Sequence, residues 1–112
     1  MADLKVVQRE GGIHMAGTPT CAIVVNVSFK PGFEEAANKM LETEVVPGSK
    51  SAPGFVAGYW MHSGDGRTGA SVELFDSLAN AEAEMGRRST EMPPESPVTI
   101  ESAAILNIVA SA

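Results

Sequence analysis

At 112 residues the chain is one domain, able to bury about two-thirds of the surface its unfolded form exposes. It is 44% hydrophobic and 20% charged, the balance of an ordinary globular protein. A net charge of −6 argues against a nucleic-acid partner, because binding a phosphate backbone needs clustered Lys and Arg.

Residues 1–20 differ from the rest. Leu4, Val6 and Val7 suit a short strand, but Gly11, Gly12, Gly17 and Pro19 break any continuation. His14-Met15 is of the kind left at a cloning junction, with Met15 then the native start; a natural leader pairing with a sheet edge is the alternative. The segment is set apart from residues 21–112 as a leader or cloning-derived extension. It lacks the basic and then apolar regions of a signal peptide, and no apolar run approaches the roughly 20 residues that cross a bilayer. The expectation is a cytoplasmic protein with no membrane contact.

Cys21 is the single cysteine, so neither an intrachain disulfide nor a thiolate metal cluster can form. It reads as a small apolar residue opening the first strand. From Ala22 to Phe29 the chain alternates, with Ile23, Val25, Val27 and Phe29 on one face and Ala22, Val24, Asn26 and Ser28 on the other. Lys30-Pro31-Gly32 turns it into a helix carrying Phe33, Ala36, Ala37, Met40, Leu41 and Val45 as an apolar stripe. Glu34 and Glu35 fall in the first turn, where the helix dipole favours negative charge. Pro47 and Gly48 are expected to end this helix.

A second strand, Phe55 to His62, puts Phe55, Ala57, Tyr59 and Met61 opposite Val56, Gly58, Trp60 and His62. Ser63-Gly64-Asp65-Gly66 supplies glycines for a reversal with positive φ. A third strand runs from Arg67 to Phe75. Asp76 or Ser77 caps a second helix whose inward residues are Leu78, Ala81 and Met85, with Arg87 and Arg88 at its C-terminal end. Residues 89–97 hold three prolines and read as an irregular loop. The last strand, Val98 to Ser111, is apolar at both parities, which predicts a sheet covered on both faces.

The order is βαββαβ, the split-βαβ or ferredoxin-like plan: an α+β fold with a four-stranded antiparallel sheet and two helices on one face. A second copy of the chain is the simplest cover for the other face. RNA-recognition modules share the order but need exposed aromatics on the central strands and a basic surface, neither of which is evident.

Several local motifs resemble the dimeric α+β barrel superfamily. Phe29-Lys30-Pro31-Gly32-Phe33-Glu34-Glu35 resembles its first strand-to-helix junction. Pro53-Gly54-Phe55 resembles the start of its second strand, and Val72-Glu73-Leu74-Phe75-Asp76-Ser77 its third-strand-to-helix junction. The branch most similar is the antibiotic-biosynthesis-monooxygenase-like domain, over residues 21 to about 109. The resemblance implies a homodimer with its sheets packed face to face, and a ligand cavity between each sheet and its helices. It implies cofactor-independent oxygenases of aromatic compounds, haem-degrading oxygenases or domains without activity. Where the family usually has Trp at the third-strand junction this chain has Phe75, and no His stands between Ser77 and Pro97, which disfavours haem degradation.

Asn26 matches an Asn found on the first strand of several such oxygenases, and as an amide among apolar neighbours it is either ligand-facing or locked in a structural hydrogen bond. Glu73 is the oddest charge. A carboxylate on a covered strand needs a cation or backbone donors, and Arg67 is about 20 Å away along the strand. An ion pair across the dimer is the first reading of Glu73 and general-base chemistry the second. His62 suits proton transfer near neutral pH, though beside the Ser63 turn it also reads as a surface histidine. Trp60 suits stacking on a planar substrate or packing in the dimer interface, and Tyr59 on the other face is an alternative pocket phenol. Phe33 and Phe75 complete the candidate ligand residues; if they fill the cavity with Met40, it is closed. No metal-ligand spacing or phosphate loop occurs, so no cofactor is expected.

Two functional expectations follow. One is a cofactor-independent monooxygenase-like enzyme acting on a small, flat, hydrophobic compound, with Asn26, His62 and Glu73 catalytic. The other is a non-catalytic small-molecule-binding or stress-related barrel domain.

Overall fold

The computed structural model describes residues 17–89 and 96–112; the strand expected at Leu4–Val7 and most of the proline-rich loop lie outside them. Four strands, three α-helices and a π-helical turn follow in the order β1 (Cys21–Phe29), α1 (Glu34–Met40), the π-helical turn (Leu41–Val45), α2 (Val46–Lys50), β2 (Phe55–His62), β3 (Thr68–Phe75), α3 (Leu78–Ser89) and β4 (Val98–Asn107). The sheet order is β2-β3-β1-β4, and every neighbouring pair is antiparallel. This is the ferredoxin-like α+β architecture. Thr20 continues the pairing beyond β1, donating to the Phe75 carbonyl at 2.9 Å and accepting from Ile108 at 2.9 Å.

Two bulges set which side chains meet. Phe55 pairs with Phe75 and Ala57 with Leu74, so Val56 is the extra residue in β2. The slip puts Phe55 on the helix-facing side with Gly58, Trp60 and His62, and leaves Ala57, Tyr59 and Met61 on the open side. Simple alternation groups Phe55 with Tyr59 and fails here because one inserted residue inverts the parity. Between β1 and β4, Asn26 pairs with Ser102 and Val27 with Ile100, which makes Glu101 the bulged residue. Ile100 thereby replaces a carboxylate opposite Val27 on the helix-facing side. Glu101 instead accepts a 2.6 Å hydrogen bond from Ser28 on the open face.

The first helix does not stop at Pro47-Gly48. It runs on to Lys50, because the turn before Pro47 has widened to π geometry: the Val46 amide donates to the Leu41 carbonyl, five residues back. A proline inside a regular α-helix clashes with the carbonyl four residues earlier, and the widened turn relieves that clash. The Thr43 hydroxyl meets the Lys39 carbonyl at 2.8 Å within the same stretch. At the start of α3 the Ser77 hydroxyl accepts from the Asn80 amide at 3.1 Å, so Ser77 is the capping residue.

The packed core occupies one end of the space between sheet and helices. Cys21, Ile23, Phe75, Ala52 and Ala81 are buried there, with Phe55, Met85 and Ile105 against them. Phe55 and Phe75 meet edge to face at 6.0 Å between centroids. Among the described residues no helix is long and apolar enough to cross a membrane.

Candidate functional site

The other end of that space is open. A cavity of about 340 Å³ lies between the helix-facing side of the sheet and the α1–α2 segment, within the range of small-molecule sites. Its floor is built from Val25, Val27 and Phe29 of β1, Trp60 and His62 of β2, and Ser71 of β3; Met40, Leu41 and Val45 form an apolar wall opposite. The π turn brings both Leu41 and Val45 to the cavity.

Small residues let the floor lie low. A Cβ on Gly58 would stand 2.8 Å from Cη2 and 3.0 Å from Cζ3 of Trp60. The indole therefore lies over Gly58 along its own strand. A Cβ on Gly69 would likewise stand 2.9 Å from Cζ of Phe29.

Between cavity and core stands a charged cluster. Glu73, only 1% exposed, receives Nη1 and Nη2 of Arg88 at 2.7 and 2.5 Å. Arg88 also donates from Nε to Glu84 at 2.6 Å and from Nη2 to the Ser49 hydroxyl at 3.1 Å. Arg87 donates from Nε to Glu84 at 2.9 Å and makes a second, shorter contact through Nη2. Among the described residues two carboxylates, Glu73 and Glu84, are met by the guanidinium groups of Arg88 and Arg87, and a buried carboxylate needs such partners. Burial works to raise the Glu84 carboxyl, but hydrogen bonds from Arg87 and Arg88 and their charges outweigh it and hold it below its ordinary value. Burial would likewise lower Arg88, and the hydrogen bonds and charges of Glu73 and Glu84 raise it instead.

The partner of Glu73 is thus Arg88 of the same chain. The expected ion pair across a dimer is corrected, because α3 crosses the sheet where the carboxylate emerges. Trp60 faces the helices and the cavity and does not belong to the open face. His62 stands at the mouth, exposed, with Nδ1 2.9 Å from the Ser63 carbonyl. A carbonyl only accepts, so in the neutral ring this contact favours the tautomer with its proton on Nδ1 and its lone pair on Nε2.

The remaining candidates lie elsewhere. Asn26 is exposed on the open face and donates to the Ser102 hydroxyl at 3.1 Å. Tyr59 shares that face and is 62% exposed. Phe75 is wholly buried in the core and Phe33 is half exposed outside the cavity wall. The structure therefore brings together Trp60, His62 and Glu73, and separates them from Asn26, Tyr59, Phe33 and Phe75. Arg88, Ser49 and Gly58 were not singled out from the sequence; only the Glu84, Arg87, Arg88 spacing, which puts both arginines one turn beyond the acid, carried a signal. Among the described residues no three His, Cys, Asp or Glu side chains gather into a metal site.

No family model and no curated protein matches the chain, but solved structures do. The heme-degrader MhuD of Mycobacterium tuberculosis, solved with two hemes in its active site, superposes with a TM-score of 0.63 at 12% identity, covering 82% of this chain and 98% of that one. The Streptomyces coelicolor monooxygenase from ActVA-Orf6, in complex with nanaomycin D, gives 0.55 at 15% identity, covering 84% and 91%. A dimeric ferredoxin-like protein from an uncultured marine organism gives 0.60 at 12% identity, covering 85% and 100%. The shared fold is the ferredoxin-like α+β arrangement described above. At these identities the likeness is one of fold, and the chemistry rests on the cavity itself.

Proposed function

We propose that the protein binds a small, flat, hydrophobic compound in this cavity and acts on it as a cofactor-independent monooxygenase-like enzyme. The observation that carries the reading is an apolar cavity with an aromatic floor and a histidine, its lone pair on Nε2, at its mouth. The fold shared with a monooxygenase and a heme-degrader supports it. For a phenolic substrate, His62 takes the hydroxyl proton. The electron-rich ring then reduces molecular oxygen and a C–O bond forms at a ring carbon. Loss of that carbon's proton, with cleavage of the O–O bond and departure of the distal oxygen as water carrying that proton and the one His62 returns, leaves a quinone. One oxygen atom ends in product and one in water, and the substrate supplies all the electrons. In this reading Trp60 holds the ring, while Glu73, tied to Arg88, shapes the inner end of the cavity.

The open sheet face is part of the same proposal. Tyr59, Met61 and Leu106 are exposed there, an apolar surface of the kind a partner covers, and the proposed cover is a second copy of the chain; a protein of the same fold being dimeric supports it. A cytoplasmic location is proposed with it.

A non-catalytic binding domain is the second reading, favoured because the cavity's carboxylate, Glu73, is already held by Arg88 at two points. A thermal-shift screen against flat phenols and quinols tests both. A ligand at 100 times its Kd adds about 2.7 kcal/mol. Oxygen uptake with such a ligand, reduced about 100-fold or more in His62→Gln, is the enzyme's outcome. Binding without uptake leaves the binding domain, and the absence of any shift removes both.

A further inference from the structure

Side chains on a strand ordinarily stand away from the sheet. Trp60, the chain's single tryptophan, instead lies down along β2, and the space it occupies exists only because residue 58 has no Cβ. Phe29 reaches over Gly69 in the same manner from the other side of β3. Between the two rings is Ser71, paired with Trp60 on the neighbouring strand, whose hydroxyl makes no hydrogen bond among the described residues. The floor is thus two laid-down rings flanking one small polar residue.

We infer that Gly58 sets the ligand class of the cavity: by keeping the Trp60 indole flat against the sheet, it selects planar ring compounds over puckered ones of the same skeleton. This rests on the reading of the cavity as the ligand site. A planar ring keeps all its carbons in contact with the ring floor, and stacking adds to area burial. A saturated, puckered ring touches the floor at some carbons only. A methyl at position 58 forces the indole upward, because 2.8 Å is shorter than carbon contacts allow. The raised ring then intrudes on the cavity and no longer presents its face. Gly58 touches no ligand and acts through Trp60, as a positioning residue.

The test is calorimetric titration with 1-naphthol and with trans-2-decalol, its saturated counterpart in size. The wild type is expected to favour naphthol by about tenfold, and Gly58→Ala to bring the ratio close to one. Retention of the ratio in Gly58→Ala, or equal binding of both compounds by the wild type, overturns the inference while leaving the cavity as ligand site. Binding of neither compound overturns both. Should Gly58→Ala not fold, Trp60→Leu, which removes the ring without adding an atom to the strand, must lose the preference; an unchanged ratio there also overturns the inference.

Discussion

Removing the Arg88 guanidinium would leave the Glu73 carboxylate buried without its two charged donors. An unpaired buried charge is far more costly than the absence of the whole pair. Arg88→Met should therefore lower stability by about 3 kcal/mol, and Glu73→Leu combined with Arg88→Met by less, as urea denaturation would show. The reverse order, with the double variant the weaker, would mean that the pair is not the unit argued here. Glu84 makes the cluster sensitive to acid. Its carboxyl is held below the ordinary value of 4.5 in the folded protein, so the folded state favours the ionised form. Stability from this group is fully present above its unfolded value and is lost as pH falls through the lower folded value. Unfolding measured from pH 6 down to pH 3 should show a decline beginning below about 4.5 that is shallower in Glu84→Gln. The Glu73 pairing was not legible residue by residue: Glu73 announced a need for a cation, Arg67 lies too far along the strand, and only the path of α3 brings Arg88 to the carboxylate.

At the scale of elements, alternation and turn residues placed the four described strands and both helical regions, though β4 ends at Asn107 and not at Ser111, and other limits fell where one residue changes the geometry. The inserted Val56 inverts a face, and the π turn carries a helix through Pro47 and Gly48, where a sequence reading stops it. Neither has a signature, because a bulge and a widened turn answer to tertiary packing. Gly54 is a place where local sequence and packing agree. Its φ is +81°, and an added Cβ would stand 2.4 Å from Nδ2 of Asn80 and 2.5 Å from Oδ1 of Asp76. Its carbonyl accepts from the Asp76 amide at 2.9 Å, tying the start of β2 to the start of α3. Gly54→Ala therefore combines left-handed strain with a clash and should cost more than about 1 kcal/mol. Thermal unfolding would check this, and a near-neutral effect would contradict the packing described.

For the whole molecule, among the described residues, one sheet face is covered by helices and the other is not. Leu106 pairs with Ala22 on the open face and is 54% exposed, in company with Tyr59 and Met61. The two-sided apolar character of the last strand led to the expectation of a sheet covered on both faces, and Leu106 is the residue through which a cover would act. The same pattern could not say that Asn26 and Tyr59 belong to the open face and Trp60 to the cavity, because parity alone leaves the two faces interchangeable. If a second copy covers this face, a charge at Leu106 acts on association and not on the fold, as the core residues Ile23 and Phe75 lie on the other side. Leu106→Asp should then turn a dimer mass in light scattering at micromolar concentration into a monomer mass, with the circular dichroism spectrum retained. A wild-type monomer would remove the premise. A dimer that survives the substitution would place its interface elsewhere on the molecule.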